Sequence, residues 1–201
     1  MDQEKLIEKF NKQAGKYAKK REKQAANHWR RMCSQARGET LEAAIGAGMN
    51  FPHYPKSIRL TAVDFSPTML GEAKKAAKAY GIETDFILSA VEELDFPADS
   101  FDTIVSTGTL CTYEEPKLVL NLFNRWCKPD GQILLLEHGL STLPPLAFLQ
   151  KGLDSFAVKA IGCHQNRDIE KIVRSSDIQI KHIERAVLGY LYIIQAKPHR
   201  T

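Results

Sequence analysis

The chain lacks any long hydrophobic run: nothing in its 201 residues approaches the roughly 18 consecutive apolar residues that a membrane span needs. A spanning helix is therefore not expected. The first ten residues, MDQEKLIEKF, carry acids and lysines where a secretory signal places an unbroken apolar core, and this points to a cytoplasmic protein. The four cysteines, Cys33, Cys111, Cys127 and Cys163, lie far apart and form no CxxC and no Cys/His cluster along the chain. Such spacing predicts no metal site and no disulfide framework, and reads as reduced, mostly buried thiols. Internal repeats and low-complexity linkers are also missing, and the length suits one medium domain.

Charge is present but uneven. The formal total is +4, yet residues 1–38 hold eleven Lys and Arg against four Asp and Glu, so this segment carries +7 and the remainder −3. Within it Leu6, Phe10, Ala14 and Tyr17 recur at helical spacing with lysines between them. This predicts one or two amphipathic helices, packed by the apolar stripe, with a lid over a site and contact with an anionic membrane surface as further readings. No recognition motif accompanies the basic charge, so sequence-specific nucleic-acid binding is not expected.

From Glu39 onward apolar runs alternate with helical patterns, the signature of parallel βαβ units. Strands are expected over Glu39–Ile45, Ile58–Asp64, Thr84–Leu88, Phe101–Ser106 and Gln132–Glu137, followed by an antiparallel pair at Ile178–Glu184 and Tyr190–Ala196. Ser66-Pro67 starts a helix that Gly81 ends, Glu115-Pro116 starts another running to Trp126, and Lys128-Pro129-Asp130-Gly131 reads as a turn. A last helix spans about Asn166 to Arg174, with Asn166 as its cap and Arg167 and Asp168 in its first turn. The apolar stripe in 143–161, with Phe148, Leu149, Leu153 and Phe156, reads first as core and second as a surface for a hydrophobic acceptor.

The segment LEAAIGAGMN, Leu41 to Asn50, carries most of the functional information. An apolar strand runs through Glu42 into Gly46 and Gly48, and sixteen residues past Gly48 the next strand ends in Asp64. Glycines let backbone approach a ligand where a side chain would collide, and a carboxylate at the neighbouring strand end can accept both hydroxyls of a ribose. A nucleoside-containing cofactor follows. The third glycine of GxGxxG is missing, replaced by Phe51, which counts against a dinucleotide pyrophosphate and so against an NAD-dependent oxidoreductase. Glu42, four residues before Gly46, could face a ligand ammonium directly or through water, or stand on the surface as a strand-end acid.

These residues resemble a family. Glu42 to Gly48 is similar to the ExGxGxG first motif of class I S-adenosylmethionine-dependent methyltransferases, and LTAVDFSPTML, Leu60 to Leu70, to their second. SAVEELDFPADSFDTIVSTGTLC, Ser89 to Cys111, resembles their adenine loop and fourth strand, and WCKPDGQILLLEHG, Trp126 to Gly139, their turn and fifth strand. FNKQAGKY, Phe10 to Tyr17, looks like the lead-in of the ubiquinone and menaquinone C-methyltransferase branch. NFPHYP, Asn50 to Pro55, and GCHQNRD, Gly162 to Asp168, are similar to segments of small bacterial proteins related to phosphatidylethanolamine N-methyltransferases and thiol methyltransferases.

The resemblance implies a Rossmann-like, doubly wound α/β fold with a seven-stranded, mostly parallel sheet in the order 3-2-1-4-5-7-6. It divides the chain into a basic helical cap, residues 1–38, and a catalytic domain, residues 39–201. It implies S-adenosylmethionine as cofactor, with Glu42, Gly46, Gly48, Asp64, Phe65, Val91, Glu92 and Ser106 on the cofactor side. The acceptor expected is a small or lipid-like molecule, and the protein a monomer or homodimer. His138, His164 and Tyr17 are the candidates for acceptor chemistry, with Tyr54 as a further pocket wall. Two positions depart from the family pattern: Ala44 stands for the first glycine, and Ala90 for the acid that often meets the adenine amino group. They keep open a second expectation, a cofactor-binding protein of this fold with weak or no catalysis.

Overall fold

The computed structural model describes residues 3–23 and 27–200; Met1, Asp2, residues 24–26 and Thr201, which also belong to the two-part division above, lie outside the described residues. Seven strands form one sheet: β1 (Glu39–Ala43), β2 (Arg59–Asp64), β3 (Thr84–Leu88), β4 (Phe101–Thr107), β5 (Cys127–His138), β6 (Gln179–Ala186) and β7 (Leu191–Lys197). Their order is β3-β2-β1-β4-β5-β7-β6. The first five pair in parallel, while β7 runs antiparallel to both β5 and β6. Both the fold class and the strand order are those expected.

Strand ends differ from expectation where backbone chemistry intervenes. β1 stops at Ala43 because Ala44 takes φ 55°, a left-handed conformation that cannot continue a strand. β5 starts earlier, at Cys127, but its pairing with β4 jumps from Phe101↔Cys127 to Thr103↔Gln132. The expected Lys128–Gly131 turn is thus an outward bulge of extended backbone, and Pro129 within it has no N–H to give a ladder.

Helices cover both faces: α1 (Gln3–Lys23), α2 (Asn27–Cys33), α3 (Pro67–Tyr80), α4 (Pro116–Trp126), α5 (Pro144–Ile161) and α6 (Ile169–Arg174). On one face α4 buries Val119, Leu120, Phe123 and Trp126 against β4, β5 and β7. Each such side chain is worth about 1.5–3 kcal/mol of apolar burial. On the other face α2 and α3 pack on β2, β4, β5 and β7 through Met32, Leu70, Ala73 and Ala76. Ser66 caps α3 by accepting the Met69 N–H at 3.1 Å, and Gly81 closes it at φ 63°.

Two expectations fail here. Asp168, not Asn166, caps α6, its side chain accepting the Lys171 N–H at 3.1 Å. The α5 stripe is not core: Phe148 is 83% and Phe156 71% exposed, with Leu149 and Leu153 also outward. Polar side chains hold α5 down instead. Gln150 accepts the Ser141 N–H and donates to the Gly139 and Gln165 carbonyls, while Asp154 accepts the Gln165 N–H at 2.7 Å and pairs with His164 Nδ1 at 2.7 Å. These five bonds fix the rotation of the helix and leave its apolar face outside.

Candidate cofactor site

The carboxyl ends of β1, β2 and β4 meet at one cavity. Ala44 to Ala47 form one side, Asp64 and Phe65 a second, Thr107 to Thr109 with Thr112 a third, and Phe10 and Tyr17 of α1 close the outside. Asp64 joins the first two sides: its Oδ2 accepts the Gly46 N–H at 2.8 Å and its Oδ1 the Ser66 N–H at 2.8 Å. Burial raises its carboxyl to about 6, even though those two N–H groups favour the charged form. Each oxygen keeps a further lone pair for a ligand hydroxyl.

The two glycines have different reasons. At Gly46, φ 56°, a Cβ would meet nothing within 4 Å, so the missing side chain leaves open space beside the Asp64 carboxylate. At Gly48, φ 77°, a Cβ would sit 2.6 Å from Phe51 Cδ2, so this glycine serves packing under the loop. Phe51, where a third glycine was missing, is itself fully buried and stacks edge-on with Tyr54 at 6.4 Å.

Glu42 neither faces the cavity nor stands on the surface. It is 1% exposed, and its two oxygens are taken by Asn50 Nδ2 at 2.8 Å and the Tyr54 hydroxyl at 2.7 Å. Burial drives its carboxyl up to about 8, outweighing both hydrogen bonds. Glu42 and Tyr54 thus fasten the glycine turn from beneath rather than lining the cavity.

Sequence reasoning missed a second buried acid, Glu137. It receives the Ser106 hydroxyl at 2.8 Å and the N–H groups of Thr109 at 2.9 Å and Leu110 at 3.1 Å, holding the turn after β4 against β5. Burial raises it to about 7. Ser106 is therefore committed to Glu137, and Thr107, Gly108 and Thr109 supply the cavity wall expected of it. The run Ser106-Thr107-Gly108-Thr109, which ends the apolar β4 and begins the turn after it, is the signal that the sequence offers.

Helix α1 is tied to this site by its own chemistry. Ala14 is fully buried against Ala47 and Met69, Phe10 meets Phe65 edge-on at 5.5 Å, and Arg21 donates to the Ala47 carbonyl at 2.5 Å. Asn11 Oδ1 accepts the Ser66 hydroxyl at 2.6 Å, so α1 also caps the start of α3. Burial raises the Tyr17 phenol, which stays protonated, with the Cys163 and Cys111 sulfurs adding to the shift.

The remaining candidates lie elsewhere. Val91 is buried in the core at a single helical turn, Val91–Glu93, Glu92 is exposed, and neither lines the cavity. His138 and His164 are also outside the lining. His164 is engaged with Asp154, while His138 stacks on Tyr190 at 5.3 Å and places Nε2 3.5 Å from Cys163 Sγ. Burial works against protonation of His138, yet the Cys163 sulfur beside it raises its pKa; hydrogen bonds from Cys111 and then His138 lower that of Cys163.

Comparison with known proteins bears on the fold and the family. Solved structures share the fold: YcgJ from Bacillus subtilis superimposes with a TM-score of 0.68 at 16% identity, over 87% of this chain and 99% of its own. Residues 41–135 match the methyltransferase-domain family. A phosphatidylethanolamine N-methyltransferase of Cereibacter sphaeroides is 30% identical over 145 residues, 71% of each chain. A thiol S-methyltransferase of Rattus norvegicus is 32% identical over 150 residues, 70% of this chain and 61% of its own. The chain belongs to the class I S-adenosylmethionine-dependent methyltransferases, in the branch of these phospholipid and thiol enzymes and of demethylmenaquinone methyltransferase. Its cofactor is S-adenosylmethionine, and the cavity suits it: open space at Gly46, a carboxylate with spare acceptor sites at Asp64, and an aromatic ring at Phe65.

Proposed function

We propose that the chain transfers a methyl group to an amphiphilic, lipid-like acceptor taken from an anionic membrane surface. The observation that carries this reading is the outward apolar face of α5, with Phe148, Leu149, Leu153 and Phe156 in solvent. Lys5, Lys9, Lys12 and Lys16 of α1 lie in a groove that the end of α5 also lines. Apolar side chains at the acyl boundary with Lys5 and Lys16 at the headgroups form an interfacial anchor, each of these two contributing about 1 kcal/mol on anionic lipid, while Lys9 donates to the Val158 carbonyl and Lys12 pairs with Glu8. No helix among the described residues is long and apolar enough to cross a membrane. The similarity to a phosphatidylethanolamine N-methyltransferase supports the same acceptor class.

In this reading the Asp64 carboxylate holds the ribose diol, Gly46 lets the backbone close on the cofactor, and Phe65 lies against the adenine. The sulfonium supplies an already activated methyl, so transfer is an in-line displacement that mainly needs positioning and a dry site. Tyr17 donates a hydrogen bond toward the acceptor. The cavity holds only about 100 Å³ with α1 in place, against roughly 300–1,000 Å³ for small-molecule sites. Helix α1 therefore serves as a lid that withdraws to admit ligands.

Radiolabelled S-adenosylmethionine, offered with vesicles of phosphatidylethanolamine and an anionic lipid or with soluble thiols, tests the proposal. Label in the lipid fraction is expected. Label in thiols alone would move the acceptor to the thiol class, and cofactor binding with no transfer to either would favour the non-catalytic reading that Ala44 and Ala90 keep open.

A further inference from the structure

Sequence spacing predicts no metal cluster, yet the fold builds one group of three metal-ligating side chains among the described residues. Cys111 comes from the turn after β4, His138 from the last position of β5, and Cys163 from the connection between α5 and α6. Their ligand atoms all lie within 4.8 Å of one another. We infer that Cys111, His138 and Cys163 bind one zinc ion, leaving a fourth coordination position open.

Geometry comes first. Zinc–sulfur and zinc–nitrogen distances of about 2.3 and 2.0–2.1 Å at a tetrahedral angle put the two ligand atoms roughly 3.5 Å apart. Cys163 Sγ and His138 Nε2 are 3.5 Å apart. The supporting contacts also hold the ligands in place. Tyr190 stacks on the His138 ring at an interplanar angle of 14°, and Gln165 Nε2 donates to Cys163 Sγ at 3.0 Å, as a hydrogen bond from the surrounding shell does to a bound thiolate. His138 turns Nε2 toward Cys163, and its buried Nδ1 has no hydrogen-bond partner among the described residues, so ligation through Nε2 calls for a water to accept the Nδ1–H.

The donor set then selects the ion. Two thiolates and a neutral imidazole are soft to borderline ligands that suit zinc rather than magnesium or calcium. Together with a divalent ion they sum to zero charge, which a largely buried position tolerates far better than two bare thiolates. Three protein ligands leave a vacant position for water or a small thiol.

The test uses the reduced, full-length chain. Zinc is titrated in competition with a chromophoric chelator, and cobalt(II) is added in parallel as a spectroscopic probe. One ion per chain is expected, and cobalt should show a sulfur-to-metal charge-transfer band with intense tetrahedral visible absorption. Cys163→Ser and Cys111→Ser should each weaken zinc by more than about ten-fold, while Cys127→Ser retains it. Cys163 is partly exposed, so its variant decides even if Cys111→Ser does not fold. Substoichiometric zinc in the wild type, equal affinity in Cys163→Ser, or a Cys111–Cys163 disulfide that forms in air while the reduced chain takes up no zinc would each overturn the inference.

Discussion

The Gly46 N–H donates to Asp64 Oδ2 at 2.8 Å, so the turn after β1 and the end of β2 hold each other at one wall of the cavity. The same carboxylate that closes the apo wall is the proposed acceptor for the ribose hydroxyls, and its two duties can be separated by substitution.

Asp64→Asn should weaken S-adenosylmethionine by about ten-fold or more, on the order of 1.5–3 kcal/mol for a charge-assisted hydrogen bond, in isothermal titration. Stability moves the other way. The folded carboxyl is raised from 3.8 to about 6, so the folded chain binds more protons across that window and this group makes the apo protein less stable as pH rises through it. Asn keeps only one of the two N–H acceptors, so the sign is read from the pH trend: the melting temperature of the variant relative to wild type should rise between pH 4 and 7, and unchanged affinity would refute the assigned role.

Glu42 offers a pH test of the buried network under the glycines. Its folded carboxyl is raised from 4.5 to about 8, so its contribution to stability falls as pH rises toward 8. Glu42→Gln, which mimics the neutral acid, should melt close to wild type only near pH 4.5, with a margin over wild type that widens as pH rises from 4.5 to 8. A constant difference between the two proteins from pH 5.5 to 8 would mean that Glu42 is charged in the folded chain throughout that range.

Ala44 holds φ 55° at the cost of roughly 1–2 kcal/mol for an L-residue, against about 0.4–1 kcal/mol of extra unfolded-state freedom for glycine. Ala44→Gly should thus stabilise by about 0.5–1 kcal/mol in urea unfolding. Gly48→Ala should do the reverse, losing about 1–3 kcal/mol, because its Cβ meets Phe51.

Phe148→Ser combined with Phe156→Ser should leave the melting temperature nearly unchanged, since both rings are exposed and such surface changes stay within about 0.5 kcal/mol each. Sedimentation with anionic vesicles should fall sharply. A large loss of stability would place those rings in an interface of the folded protein instead.

Much of the fold was legible because its determinants are local. Alternating apolar and helical patterns, the Ser66-Pro67 start and the Gly81 stop each act within a few residues, consecutive βαβ units make the first five strands parallel, and the order of the strands was what the family resemblance implied. Gly46, Asp64 and Tyr17 could be picked out as candidates from glycines, strand-end acids and helical spacing, Phe65 from the family resemblance, and the fold brings all four to one cavity. Glu42 could not be placed from the sequence. Whether a strand-end acid faces a ligand, solvent or the interior depends on Asn50 and Tyr54, whose positions are set by the turn and not by the strand.

The sequence by itself determined an α/β fold with parallel βαβ units and a nucleoside-containing cofactor, because those signals lie within short segments, and its motifs, by their resemblance to a family, implied the strand order and S-adenosylmethionine. Only the tertiary structure decided which way α5 faces and that Cys111, His138 and Cys163 meet. Five hydrogen bonds from Gln150 and Asp154 to distant turns outweigh the apolar pattern of the helix, and the sheet order brings together three side chains that neither periodicity nor spacing connects.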